Sequence, residues 1–381
     1  VVDVQIPSVS PTVVTVYFVP AVQTSNFCVN FAGDSTDSEG WTQFEIDRVM
    51  AALGSIENVA NIDFQISADP NADFQMVIDS NELNDNGLLG YFYFPYGTGQ
   101  SMGVFNRNGF GCDDNTNPND DGFVGVTSAL GDFGINGLNQ GIYTIMSYNG
   151  GWSGGPTSNN NFGESYGPMA LDIAVIQDMY GENTSYNSGD NVYDLDGTNG
   201  QGSGWLSIWD SGGSDTLRCN GTQDAVIDLR EASLDYLPGG GGFVSNASGV
   251  AGGFTIANGA DIENALGGWG DDTIIGNTLG NDLSGRGGDD ELTAGAGSDV
   301  VAGNTGSDTL NGTSGTNLLF GGSGEDTIEG GTGRDTAYGG SGNDEINGNG
   351  DADFLFGGRG EDEIDGGAGA DQITGGLGAA D

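Results

Sequence analysis

From Gly267 to Asp381 the chain repeats every nine residues without an insertion or deletion. In register the repeats read GGWGDDTII, GNTLGNDLS, GRGGDDELT, AGAGSDVVA, GNTGSDTLN, GTSGTNLLF, GGSGEDTIE, GGTGRDTAY, GGSGNDEIN, GNGDADFLF, GGRGEDEID, GGAGADQIT and a partial GGLGAAD. Glycines at the first, second and fourth places permit the positive φ angles of a tight turn. The sixth place is Asp272, Asp290, Asp299, Asp308, Asp326, Asp335, Asp344, Asp353, Asp362 or Asp371, with Asn281 and Asn317 as the exceptions. The eighth place is apolar: Ile274, Leu283, Leu292, Val301, Leu310, Leu319, Ile328, Ala337, Ile346, Leu355, Ile364 and Ile373. Each repeat therefore predicts a turn followed by a short strand with one inward residue. Two repeats predict one coil of a flattened spiral, and stacked coils bury the apolar row. A disordered Gly/Asp linker would hold neither the register nor the apolar eighth place.

An oxygen side chain returning at one place among turn carbonyls suits a hard cation. The pattern resembles the glycine-rich RTX nonapeptide of calcium-binding parallel β-rolls. The calcium ligands expected on this reading are the ten sixth-place aspartates above, together with Asp210 and Asp215 in an acidic glycine-rich turn upstream.

The net charge is −48. Crowded carboxylates repel, so calcium is expected to couple binding to folding. Such weak sites need extracellular calcium, which predicts a secreted or cell-surface chain, exported unfolded by a type I route. The basic residues are Arg48, Arg107, Arg218, Arg230, Arg286, Arg334 and Arg359, and there is no Lys or His. Nothing basic is present in quantity to meet phosphate, which argues against nucleic acid and anionic membrane as partners. No apolar run is long enough to span a bilayer, and Val1 opens in strand-like sequence rather than a signal peptide. The roll is expected to continue past Asp381, with any C-terminal export signal there. Cys28, Cys112 and Cys219 leave two readings open, a Cys28–Cys112 bond or three unpaired thiols.

Residues 1–185 have mixed α and β patterns. Strands are predicted at Val13–Val19, Ile62–Ile66 and Phe74–Ile78, with shorter ones at Gly90–Pro95 and Gly103–Phe105. Helices are predicted at Thr42–Ile56 and at Met169–Tyr180, the second preceded by Pro168 and stopped by Gly181. Residues 186–266, with short strands at Val192–Tyr193, Leu206–Asp210 and Ala225–Leu229, are expected to cap the roll.

The order of these pieces resembles the serralysin family of secreted metzincin proteases. Ser55–Phe64, Ile145-Met-Ser-Tyr148, Pro168–Gly181, Ile208–Thr216 and Ile262–Gly268 carry the resemblance, in the family's order. It implies an α+β metzincin-like domain, with a twisted mixed sheet and two long helices, followed by the all-β parallel roll. It also makes Met146 and Tyr148 the methionine turn beneath the zinc. The family's zinc helix carries HExxHxxGxxH, with the Glu as general base. Here Thr127–Gly134 occupies that place. Ser128 aligns with the first His, Ala129 with the Glu and Asp132 with the second His, around Leu130-Gly131, and the third falls near Gly137. This departure leads to the expectation of several calcium ions, no zinc and no enzymatic activity.

Three functions follow. The first is a structural, adhesive or surface-assembly protein, whose partners are calcium, a second copy or a cell-surface protein. The second is a secreted zinc metalloendopeptidase with non-standard ligands. The third is a decoy that binds extended peptides by strand addition. Trp152, Phe162 and Tyr166 are read either as core or as an exposed partner-binding patch.

Overall fold

A computed structural model describes residues 10–18, 24–29, 35–37, 43–70, 74–78, 90–93, 101–105, 152–156, 163–200, 203–235 and 237–378, with single positions at 20, 72, 140, 142 and 143. The chain packs as two compact units, Val1–Asp120 with Val175–Thr184 and Asp121–Ala174 with Ser185–Asp381.

The first unit contains a five-stranded sheet in the order Ile62–Ile66, Thr12–Phe18, Phe74–Ile78, Ser101–Phe105, Gly90–Tyr93. Only the last strand runs antiparallel. Alternation puts Val14 and Val16 on one face of their strand, where they are buried with Ile62 and Met76. Helix α1 spans Gln43–Val59, three residues beyond the predicted end. The extra turn is held by side chains that satisfy its last carbonyls. Asn183 Nδ2 donates to the Glu57 carbonyl at 2.7 Å, and Gln177 Nε2 to that of Val59 at 2.9 Å. Helix α2, Ala170–Tyr180, opens with Asp172 accepting the Met169 N–H at 2.9 Å. It closes at Gly181 with φ +81°, the left-handed stop that glycine allows.

In the second unit two parallel sheets wind into the roll. The nine-stranded sheet runs from Val192–Asp194 to Gln372–Gly376. Its partner has seven parallel strands, Ala225–Asp228 to Glu363–Asp365, and an antiparallel edge at Asn246–Ala247. Each repeat strand pairs with the one a coil later, so that Leu283, Val301, Leu319, Ala337 and Leu355 form one row. Ile274, Leu292, Leu310, Ile328 and Ile346 form the facing row. All ten are at most 1 % exposed. Full burial of such side chains contributes roughly 1.5–3 kcal/mol each. Ile364 is half-buried and Ile373 is 50 % exposed, so the inward row loosens in the last strands. The fold is thus the expected one, α+β elements followed by a parallel β-roll.

Most fourth-place glycines lie where the stacked coil leaves no room for a Cβ, although Leu279 and Asp351 fill that place in two repeats. At Gly324 and Gly342 φ is +136° and +138°, and a Cβ would overlap the carbonyl oxygen of the glycine one coil earlier, Gly306 or Gly324. The two outer faces of the roll differ. On the nine-stranded sheet the ninth-place rings of Phe320, Tyr338 and Phe356 stack with centroids 5.2 and 4.8 Å apart. The other sheet turns Glu291, Glu329, Glu345, Glu363 and Asp365 outward at its seventh and ninth places.

Candidate calcium site

The sixth-place side chains form two ladders, one along each edge of the roll. On one edge the backbone N–H of Asp272, Asp290, Asp308, Asp326 and Asp344 donates to Oδ1 of the aspartate 18 residues later, ending at Asp362, at 2.8–3.1 Å. On the other edge the sequence is Asn281, Asp299, Asn317, Asp335, Asp353, Asp371, with the same bonds at 2.8–3.2 Å. One oxygen of each acceptor therefore ties two coils together.

The second oxygen is what a cation would explain. Oδ2 of Asp290, Asp299, Asp308, Asp326, Asp335, Asp344, Asp353 and Asp362 is buried and accepts no hydrogen bond, and so is Oδ2 of Asp215. A buried acceptor without a partner costs about 1–3 kcal/mol, and more when charged. These oxygens share their position with backbone carbonyls. A Cβ at Gly348 would meet both Asp353 Oδ2, at 2.5 Å, and the Gly366 carbonyl oxygen, at 2.8 Å; Gly330 shows the same pair with Asp335 and Gly348. At Gly321, Gly330, Gly339, Gly348 and Gly357 the lack of a Cβ thus leaves a cradle lined by a carboxylate oxygen and a carbonyl from the next coil. Calcium takes six to eight such oxygens. Among the described residues no group of three or more His, Cys, Asp or Glu side chains gathers around one point. Ligands here must accordingly come largely from the backbone, as the glycine-rich turn provides.

Burial drives the carboxyl pKa values upward, with neighbouring carboxylates adding to the effect. Asp290 and Asp326 rise to about 6, and Asp308 to about 7. Asp335 and Asp215 also rise to about 6. Asp272, Asp299, Asp344 and Asp353 move in the same direction for the same reason. A cation in the cradles would reverse this penalty.

The remaining expected ligands stand differently. Asp272 is satisfied by protein, Oδ1 by the Ala225 N–H at 2.7 Å and Oδ2 by the Gly268 N–H at 2.5 Å. Asp210 accepts from the Tyr193 hydroxyl at 2.5 Å and the Gly212 N–H at 3.0 Å. Asp371 is only half-buried. Two features had no part in the sequence reading. Glu263 accepts the Asp215 N–H at 2.8 Å, standing in the ladder one coil before Asn281. Reading the register back one repeat from Gly267 gives NGADIENAL, which puts Glu263 at the sixth place. Fifth-place side chains form an outer ladder: Asp224 accepts from the Asp271 N–H, Asp271 from Asp289, and Asp289 from Ser307, at 2.7–3.0 Å.

Ser128, Ala129, Asp132, Met146, Tyr148, Cys112 and Phe162 lie outside the described residues, as does the side chain of Cys28. Cys219 is a buried free thiol whose pKa burial pushes up. Trp152 packs edge-on against Trp205, with ring centroids 5.7 Å apart, beside Ile142 and Met169, which supports the core reading. Tyr166 is 46 % exposed. No described helix is long and apolar enough to cross a membrane.

The RTX calcium-binding nonapeptide repeat family matches this chain in overlapping blocks between residues 266 and 379. Metallopeptidase AprA of Pseudomonas marginalis is 40% identical over 132 residues, 30% of this chain and 26% of its own length. Serralysin of Proteus mirabilis is 35% identical over 127 residues, 30% of this chain and 24% of its own. Metalloprotease AprA of Pseudomonas entomophila is 38% identical over 131 residues, with 30% and 26% covered. The chain spans about a quarter of the length of these relatives. They correct one expectation. The absence of His predicted a chain that is not an enzyme, yet the matched relatives are named metallopeptidase, metalloprotease and serralysin. The physical reason is that lost imidazoles remove one class of zinc ligand, while Asp and Glu oxygens bind zinc at similar distances.

Proposed function

We propose that the chain is a secreted protein of the serralysin kind, whose roll folds on calcium outside the cell. The row of buried, unpartnered Oδ2 atoms facing glycine-lined carbonyl cradles carries this reading. In the metal-free state crowded carboxylates oppose the coil stacking that buries the apolar rows. Calcium supplies the positive charge and draws oxygens of neighbouring coils together. The folded roll is then a rigid element suited to structural, adhesive or surface-assembly work, attached to a scaffold in which Ser128, Ala129 and Asp132 replace the zinc-binding residues. Loss of β circular dichroism on adding EGTA, restored by calcium but not by magnesium, tests it. An unchanged spectrum in EGTA contradicts it.

The relatives' names favour a second activity, secreted metalloendopeptidase action by the N-terminal part with oxygen-rich zinc ligands. Zinc content of the purified protein and casein hydrolysis test it. About one zinc per chain with chelator-sensitive hydrolysis supports it, and absence of both removes it.

A further inference from the structure

Asn281 and Asn317 stand on the same edge of the roll, and neither leaves the vacancy that the aspartates leave. Asn317 accepts the Asp299 N–H through Oδ1 at 3.2 Å, as its aspartate counterparts do. Its Nδ2, at the place of the unpartnered carboxylate oxygen, donates to the Gly312 carbonyl at 3.1 Å. A Cβ at Gly312 would meet that amide nitrogen at 2.8 Å, so a donor occupies the position that elsewhere holds a negative oxygen. Asn281 closes its turn more fully. Its Oδ1 takes the Asn277 N–H at 2.9 Å, and its Nδ2 donates to the Glu263 carbonyl and to Asn277 Oδ1, both at 3.0 Å. Both asparagines are buried, at 2–3 % exposure. An amide N–H pointed at a carbonyl oxygen neutralises the electron pair that calcium needs and repels the ion.

Building on the calcium reading above, we propose that Asn281 and Asn317 are amide plugs, closing two turns of one edge without metal. The facing edge takes calcium in an unbroken row from Asp290 to Asp362, while the plugged edge takes it only from Asp335 onward and weakly around Asp299. The plugged turns need no cation to satisfy their buried groups. Asn281 lies in the first coil after the capping segment and Asn317 two coils further on, and the two provide footholds of ordered coil from which calcium-dependent stacking proceeds.

The test is calcium per chain, measured by equilibrium dialysis with elemental analysis at saturating calcium, on the full chain and three variants. Asn317→Asp and the double variant Asn281→Asp/Asn317→Asp are expected to gain about one and about two calcium ions. Asp308→Asn, on the unbroken edge, is expected to lose about one. Hydrogen exchange in EGTA adds a readout independent of metal. Wild-type amides of residues 276–284 and 312–320 are expected to exchange at least tenfold more slowly than those of 321–347, and the double variant to lose that difference. Unchanged calcium counts across all variants, or uniform exchange along the wild-type roll in EGTA, overturns the proposal while leaving calcium binding intact. No calcium in any form overturns the calcium reading itself. If the double variant fails to fold, the Asp308→Asn count and the wild-type exchange pattern still decide.

Discussion

The Asp308 N–H donates to Asp326 Oδ1 at 2.9 Å across one full coil, while the second oxygen of Asp326 is buried without a partner. One carboxylate thus joins two coils with one atom and leaves the other for a ligand. The geometry repeats along both edges, and it links metal binding to the stacking that forms the core.

Removing the second oxygen separates these tasks. Asp326→Asn keeps the Oδ1 acceptor and replaces the free oxygen with a donor. It is expected to lower calcium stoichiometry and raise the calcium concentration for half-folding severalfold, read by titration with circular dichroism. Asp326→Ala loses both roles and is expected to cost about 1–3 kcal/mol more, read by urea unfolding at fixed calcium.

Coil stacking leaves no room for a side chain at the fourth place of most repeats. Gly342→Ala must push its methyl into the Gly324 carbonyl at φ +138°. It is expected to destabilise the calcium-loaded roll by more than about 2 kcal/mol, measured as a lower urea midpoint. Gly249 has a positive φ as well but nothing within 4 Å of a Cβ, so Gly249→Ala is expected to cost only about 1 kcal/mol.

The inward row should behave as an ordinary core. Leu319 is fully buried between Val301 and Ala337. Leu319→Ala is expected to cost about 2–5 kcal/mol, whereas Ile373→Ala, at a half-exposed position, should cost less than about 1.5 kcal/mol. Paired urea titrations in saturating calcium compare them.

Acid should partly replace calcium. The folded-state pKa values of Asp290, Asp326 and Asp335 rise to about 6 and that of Asp308 to about 7, above the ordinary carboxylate value. The folded roll therefore binds more protons than the unfolded chain between about pH 4 and 7, and its metal-free stability falls as pH rises through that window. In protein stripped of calcium beforehand and kept in calcium-free buffer, the β signal is expected to be strongest near pH 4 and to fade toward pH 7, and saturating calcium at pH 7 should restore it. A metal-free signal that grows from pH 4 to 7 would contradict the burial account.

The roll was legible because every coil poses the same steric question, and Gly, Asp and an apolar residue answer it at the same places in most repeats. The strand Ile62–Ile66 was legible for a simpler reason, its β-branched and aromatic alternation. The direction of the ladder was not legible. A nine-residue pattern says nothing about an acceptor 18 residues away, because that distance exists only once two repeats close a coil. Glu263 escaped notice because its longer side chain broke the Asp pattern, although its register is intact. The extra turn of α1 depends on Gln177 and Asn183, more than a hundred residues downstream, so no local signal marks it. Asp210 looked like a ligand from its glycine-rich setting, and only the fold reveals that the Tyr193 hydroxyl meets it.

The central claim is that cations fill the cradles beside the unpartnered aspartate oxygens. Its most direct test is elemental analysis for calcium and zinc per chain before and after EGTA, with circular dichroism on the same samples. Several calcium ions per chain, removed by EGTA together with the β signal and regained with it, are the predicted result. A chain that holds no calcium, or keeps its full β signal after complete removal, would contradict the account.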